Sequence, residues 1–165
     1  MAGGTEVTAR ELPGFVIRPT DPEHSDALRC LRLFSAALDR RLGPDFSLAA
    51  NGSGDRQQLM PPSGRLLVAY LRGEPVGSGA IRHRPGRPSE IDRLWVARVA
   101  RRAGIGRLLL AELELRALVA GASAVRLEIP RQLREAIAMC RSAGYIEVPQ
   151  FNGHAPTGRC FEKAL

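Results

Sequence analysis

Arg101-Arg102-Ala103-Gly104-Ile105-Gly106 separates an apolar strand candidate, Ile91 to Val96, from a long amphipathic run, Ile105 to Val119. A glycine-rich turn between a strand and a helix leaves several backbone N–H groups unpaired and aimed outward. The helix dipole adds positive potential at the same point. Such a turn is a seat for a phosphate or diphosphate. Small side chains suit it, because a Cβ would hold the ligand away from the backbone. Arg101 and Arg107 bracket the turn and can add charge-assisted contacts. No Gly-Lys-Ser/Thr follows, which excludes a nucleoside-triphosphate loop. Leu109 stands where a dinucleotide fingerprint needs its third glycine. The plain alternative is an ordinary helix start with its arginines in water.

Working outward, the spacing predicts alternating strands and helices. Phe15 to Ile17 reads as a short strand. Asp21-Pro22 suits a helix start, and Ala27, Leu28, Leu31, Phe34 and Leu38 recur at helical spacing until Gly43-Pro44. Residues 43–64 are rich in Gly, Pro, Ser and Asn, with one short helix expected near Asp55 to Leu59. This is the candidate substrate-side loop. Arg65 to Leu71 and Pro75 to Arg82 form a hairpin about Arg72-Gly73-Glu74. Glu90 to Val96 is the next strand. Ile105 to Val119 is a helix stopped by Gly121. Val125 to Ile129 is a strand ended by Pro130, and Arg134 to Ser142 a helix stopped by Ala143-Gly144. Tyr145 to Val148 and Arg159 to Leu165 are the last strands. Strand–helix–strand units joined to a hairpin imply an α/β (α+β) sheet of mixed direction.

The 165 residues suit one domain, 1–165, with 1–12 as an N-terminal extension. No apolar stretch is long enough to span a bilayer. Residues 1–11 lack the apolar core of a signal peptide, so cytoplasmic residence is the default expectation. Cys30, Cys140 and Cys160 are too few and too scattered for a disulfide framework. No cysteine pair has metal-ligand spacing, and His24, His83 and His154 are equally dispersed, so no metal is expected. The net charge is +7, with Lys163 the only lysine among 24 basic residues. The arginines are spread along the chain instead of gathered in a run. The charge therefore speaks weakly for nucleic acid and modestly for an anionic cofactor.

Arg-x-x-Gly-x-Gly in this setting resembles the GNAT superfamily of acetyl-CoA-dependent N-acetyltransferases. The hairpin Leu67 to Gly77 looks like the central hairpin of its small bacterial members. Glu90-Ile91-Asp92-Arg93-Leu94-Trp95-Val96 resembles their cofactor-contacting strand. Glu135 to Tyr145 resembles their C-terminal helix, turn and strand, and Cys160-Phe161-Glu162-Lys163 their common ending. The resemblance spans about residues 15–165. It implies a mixed, mostly antiparallel sheet of 6–7 strands with about four helices, splayed between Glu90–Val96 and Val125–Ile129. It implies that Arg101, Arg102, Ala103, Gly104, Ile105, Gly106 and Arg107 hold the coenzyme A pyrophosphate. It also implies that main-chain groups of Leu94, Trp95 and Val96 pair with the pantetheine arm. Gln132 falls where relatives place a polar residue that touches the cofactor. A homodimer is compatible with it. Two departures stand out. Arg102 replaces a glycine common in relatives, where only a free amide is needed. Cys140 replaces the tyrosine that is the presumed acid for the departing thiolate.

Amine acetylation needs a neutral amine, a stabilised carbonyl oxygen and a departing thiolate. Holding the two reactants together can supply much of the acceleration. Glu90, at the head of the cofactor strand and eleven positions before Arg101, is the general-base candidate. Its alternative is a strand-end charge paired with Arg87 or Arg93. Cys140 could protonate the thiolate in a nearly isoenergetic thiol-to-thiol transfer, or it is a small core residue. Tyr145, Tyr70 and Ser78 are further hydroxyls. His83 and His154 could line the acceptor pocket. Phe15, Phe34 and Trp95 are most simply core. The expected function is transfer of acetyl from acetyl-CoA to a primary amine of a small molecule or peptide, by direct attack in a ternary complex. The alternatives are an acetyl-CoA sensor with little turnover and, from charge alone, a nucleic-acid binder. Membrane partners are not expected.

Overall fold

The computed structural model describes residues 12–43, 53–151 and 158–165, with side chains in the 53–59 turn described from Arg56 onward. Seven strands form one sheet: β1 (Phe15–Pro19), β2 (Gly64–Leu71), β3 (Glu74–Arg82), β4 (Ser89–Val96), β5 (Ala124–Pro130), β6 (Ile146–Val148) and β7 (Gly158–Ala164). Their order across the sheet is β1-β2-β3-β4-β5-β7-β6. Every neighbouring pair is antiparallel except β4 and β5. The α-helices of the described residues are α1 (Ser25–Leu42), α2 (Ile105–Val119) and α3 (Arg134–Ser142), joined by 3₁₀ turns at Ser53–Leu59 and Arg98–Ala100. Three α-helices thus stand where about four helices were expected.

The hairpin between β2 and β3 closes through Arg72 (φ +52°) and Gly73 (φ +83°). Two consecutive left-handed residues make the turn whose twist matches the strands beside it. Helix α1 starts later than Asp21-Pro22 suggests. Asp21 spends its carboxylate on the Glu23 N–H (2.8 Å) in a local turn, as Asp side chains often do. His24 becomes the cap, its Nδ1 accepting from the Asp26 N–H at 3.1 Å. The helix expected near Asp55 to Leu59 is the 3₁₀ turn Ser53–Leu59. Residues 1–11 of the expected N-terminal extension, 1–12, lie outside the described residues, as does the stretch 44–52 of the substrate-side loop.

Two apolar layers flank the sheet. Ala27, Cys30 and Leu31 of α1 pack on one face with Leu66, Val68 and Ala80. Leu109, Leu110 and Leu113 of α2 and Ile137 and Cys140 of α3 pack on the other, with Ile91, Val125 and Phe161. Each such leucine contributes about 1.5–3 kcal/mol by leaving water. The approach of α2 depends on two small residues of β3. A Cβ on Gly79 would lie 2.8 Å from Leu113 Cδ1, and one on Gly77 would lie 3.1 Å from Leu109 Cδ1 and 2.9 Å from the Trp95 carbonyl. With no side chain there, α2 settles close on β3 and β4, and its N-terminus is set at the end of β4.

Candidate active site

The sheet opens where its only parallel pair parts. β4 and β5 are in register at Ser89 with Val125 and at Glu90 with Arg126, and no further pairing follows among the described residues. From there to Val96 the side of β4 that faces β5 has main-chain groups available to a ligand, as parting parallel strands commonly do at their carboxyl ends. β4 is also kinked on its other side. Ser78 pairs with Trp95 and Ala80 with Asp92, so Arg93 and Leu94 together oppose Gly79 alone. Arg93 takes φ +53° at this bulge. Its buried guanidinium donates to Asp92 Oδ1 at 3.0 Å. Bulges re-aim side chains and release amides from the ladder, and they recur beside active sites.

The turn at 101–106 lies over the open end. Gly104 caps α2 with φ +78°. Among the described residues no main-chain carbonyl accepts an amide between Arg102 and Arg107, and the helix's own first bond runs from Leu108 N–H to the Gly104 carbonyl. Amides so left at a helix start are donors that an anion could use. The two glycines serve it differently from the simple clearance argument. Gly104 supplies a left-handed backbone. Gly106 makes room for α3, since a Cβ there would lie 3.1 Å from Met139 Sδ. Arg102 also sits in the left-handed region, at φ +67°. The position where relatives carry glycine therefore needs glycine's conformation, not only a free amide.

Arg101, Arg102 and Arg107 are exposed, and Arg101 and Arg107 are already engaged with the protein. Arg101 Nε donates to the Val96 carbonyl at 3.2 Å, tying the turn to the end of β4. Arg107 bonds Ser142 Oγ, which donates to the Met139 carbonyl at 2.9 Å. Ile105 is buried in the core below, Ala103 packs against that core, and Leu94 and Val96 pack on it from β4. Trp95 points the other way, onto the α1 layer. Gln132 is exposed just past β5, and its carbonyl accepts from Arg41 Nη2 at 3.2 Å. The open strand, the turn and the end of β5 thus converge. An extended ligand with a diphosphate fits these groups: an edge for amides, then a crown of N–H donors.

The candidate proton-transfer groups are more dispersed. Glu90 sits at the closed end, where β4 and β5 still pair. Its carboxylate, 18% exposed, faces Arg82 Nη2 (3.6 Å), Arg84 Nη2 (3.4 Å) and Arg126 Nη2 (3.6 Å). Arg82 and Arg126 take the place of the Arg87 or Arg93 partnership expected for it. Asp92, two residues nearer the bulge, shares Arg82 at 2.9 Å. Cys140 is 0% exposed within the α2–α3 layer. Burial, then the Glu114 carboxylate, pushes its thiol up to about 11. Tyr145 donates its O–H to Glu114 Oε1 (2.9 Å), and Lys163 Nζ holds Oε2 (3.1 Å). Of that triad only Tyr145 lies in the core, and Glu114 and Lys163 are partly exposed. Tyr70 donates to Asp26 at 2.8 Å and is pushed up to about 12 by burial and then by that bond. Ser78 is fully buried, its Oγ without a partner among the described residues. His83 Nδ1 lies 3.3 Å from Ser89 Oγ, and burial followed by the Arg65 charge lowers its pKa. His154 is outside the described residues. Sequence reasoning passed over Arg41, Asp92, Arg126 and Met139, whose relevance depends on contacts between distant segments. No spacing pattern announces them.

Among the described residues, no group of three His, Cys, Asp or Glu side chains could hold a metal ion. No helix there is long and apolar enough to cross a membrane. Residues 33–145 match the family described as Acetyltransferase (GNAT) family. An "IAA acetyltransferase" of Azospirillum brasilense is 38% identical over 120 residues, covering 72% of this chain and 78% of that protein. The crystal structure of a ribosomal-protein-alanine N-acetyltransferase from Brucella melitensis superposes with a TM-score of 0.70 at 25% identity, covering 91% of this chain and 99% of that one. The PaiA N-acetyltransferase of Thermoplasma acidophilum, solved in complex with coenzyme A, has a TM-score of 0.72 at 15% identity over 92% of this chain and 99% of its own. That last likeness concerns the fold.

Proposed function

The chain belongs to the acetyltransferase (GNAT) family, and from that premise we propose that this acyltransferase passes acetyl from acetyl-CoA to a primary amine held beside it in a ternary complex. The observation that carries the proposal is the strand that opens just below a donor-rich turn. Bound acetyl-CoA supplies the electrophile, a thioester carbonyl, and coenzyme A leaves as a thiolate.

The chain's own residues then have separate tasks. Amides 102–107 and the guanidiniums of Arg101 and Arg107 take the diphosphate, with Gln132 on the opposite wall. The parted edge of β4 from Leu94 to Val96 aligns the pantetheine arm as an added strand would be aligned. The bulge at Arg93 and Leu94, on the β3 side, re-aims the main chain midway along that edge, where charge developing on a carbonyl oxygen would need donors. The amine enters from the α1 face, which carries Glu90, Asp92, Arg82 and Arg126. Glu90 is the carboxylate proposed to receive the amine's proton, oriented by its three arginines. Cys140 is proposed to fill the core beneath the site, with the thiolate taking its proton from water. The acceptor is a small-molecule or peptide amine. The Brucella relative, named as a ribosomal-protein-alanine N-acetyltransferase, supports the peptide side of that range.

A sensor with little turnover is the second reading. It draws on the neutralised surroundings of Glu90 and the burial of Cys140. A panel of amines and peptide N-termini, scored by release of free thiol from acetyl-CoA, separates the two. The enzyme reading predicts at least one acceptor with turnover well above the thioester's spontaneous loss. Tight coenzyme binding with no stimulated release across the panel would favour the sensor.

A further inference from the structure

Arg41, in the last turn of α1, reaches away from its own layer. Its guanidinium bonds Glu135 Oε1 through Nη1, Glu135 Oε2 through Nη2 at 3.3 Å and the Gln132 carbonyl through Nη2 at 3.2 Å. α1 packs on one face of the sheet and α3 on the other. A side chain that joins them has to pass the end of the sheet where β4 and β5 have parted. Glu135 is held below the ordinary carboxylate range, first by its bond to Arg41 and further by the charge of Arg101. Glu135 also stands one helical turn before Met139, the side chain that meets Gly106 at the start of α2.

Stability does not account for this arrangement. The Arg41 and Glu135 side chains are 42% and 62% exposed, and exposed ion pairs contribute little to folding. A carboxylate gripped through both oxygens presents the same acceptor geometry as a phosphate group. The site it occupies lies between the Gln132 carbonyl past β5 and the helix that packs on Gly106.

Resting on the coenzyme reading above, we propose that Arg41 is a further ligand for the coenzyme's diphosphate and that Glu135 is its built-in competitor. Glu135 holds the guanidinium in the arrangement seen, a bound diphosphate takes it over, and Glu135 recaptures it as coenzyme A leaves. The exchange costs one ion pair and forms another, so affinity is moderated and product release is quickened.

Calorimetric titration with coenzyme A and with 3′-dephospho-coenzyme A tests this on the full chain and on Arg41→Ala, Glu135→Gln and the double variant. Losing one charge-assisted contact should weaken both ligands about tenfold in Arg41→Ala. Glu135→Gln, which keeps the side chain's shape, should tighten both by about threefold. The double variant should follow Arg41→Ala, because no guanidinium is left to compete for. The proposal is overturned if Arg41→Ala binds both ligands as the parent does. Loosening by Glu135→Gln as large as that by Arg41→Ala would mean a mere tie between helices. A penalty confined to the ligand with the 3′-phosphate would place Arg41 elsewhere. Parent protein that binds neither ligand removes the coenzyme reading, whereas a binding parent with flat variants removes this inference alone.

Discussion

Arg102 carries a backbone conformation that costs a side-chain-bearing residue about 1–2 kcal/mol. Glycine would relieve that cost while losing some of it to a freer unfolded chain. Arg102→Gly should therefore raise stability by about 0.5–1 kcal/mol in denaturant unfolding. Acetyl-CoA affinity should stay within about threefold, since the amide is the ligand. A loss of stability would mean that Arg102 earns its place through contacts. Cys140 gives a sharper test of role. As a sealed core residue it should react with no thiol reagent in the folded protein, its thiol being both buried and pushed to about 11. Cys140→Ala should lower stability by about 1 kcal/mol through a small cavity, with kcat nearly unchanged. A hundredfold fall in kcat at undiminished coenzyme affinity would restore it as the acid. His83 titrates below its ordinary 6.5. The unfolded chain then binds its proton first as pH falls. The contribution is whole above pH 6.5 and is lost as acid titrates the unfolded histidine. The drop in melting temperature between pH 7 and pH 5 should be smaller in His83→Asn, and an unchanged drop would contradict the assignment.

At the scale of elements, the contact of α2 with α3 is the joint that shapes the anion seat. Gly106→Ala should push Met139 aside by a few tenths of an ångström and cost about 1–2 kcal/mol. Acetyl-CoA binding should weaken as the turn shifts. Met139→Ala in the same chain should recover part of both losses, a coupling measurable by a double-mutant cycle. Additive losses would show that the clash is not the cause. The bounds of α2 and α3 were legible to the residue, and the strands to within one or two. Their apolar periods are clean, and Gly121, Pro130 and Gly144 punctuate them. The start of α1 was misread because Asp21 had a local turn to satisfy. The 3₁₀ turn at Arg98–Ala100 and the bulge at Arg93 left no trace in the pattern, since an arginine in a strand predicts neither. The Arg41–Glu135 bridge joins residues 94 apart in sequence and becomes visible only once the sheet's two faces are known. The turn at the start of α2 was legible because its signature is main-chain geometry at one corner. The surroundings of Glu90 were not, because they rest on side chains gathered from β3, β4, β5 and the loop that carries Arg84.

Across the whole molecule, the net charge of +7 is spread along the chain, and many arginines are tied into local ion pairs. Arg29, Arg41, Arg56, Arg82, Arg84, Arg93, Arg116, Arg126, Arg141 and Arg159 all face carboxylates. Among the arginines outside those pairs, Arg101, Arg102 and Arg107 surround the helix start, and the others are spread along the chain. Binding to duplex DNA at physiological salt should accordingly be absent by fluorescence anisotropy. Steeply salt-dependent binding would revive a nucleic-acid role. The sheet's parting at Glu90, the bulge at Arg93, the turn and the end of β5 combine only if one extended ligand threads them. The most direct measurement is calorimetric binding of acetyl-CoA to the parent protein and to Gly104→Val, with thermal unfolding run alongside. Valine in a left-handed position costs about 1–2 kcal/mol and moves the amides that follow. The account predicts saturable, one-to-one binding by the parent and none by a variant that still unfolds cooperatively. Equal binding by a folded Gly104→Val would contradict it.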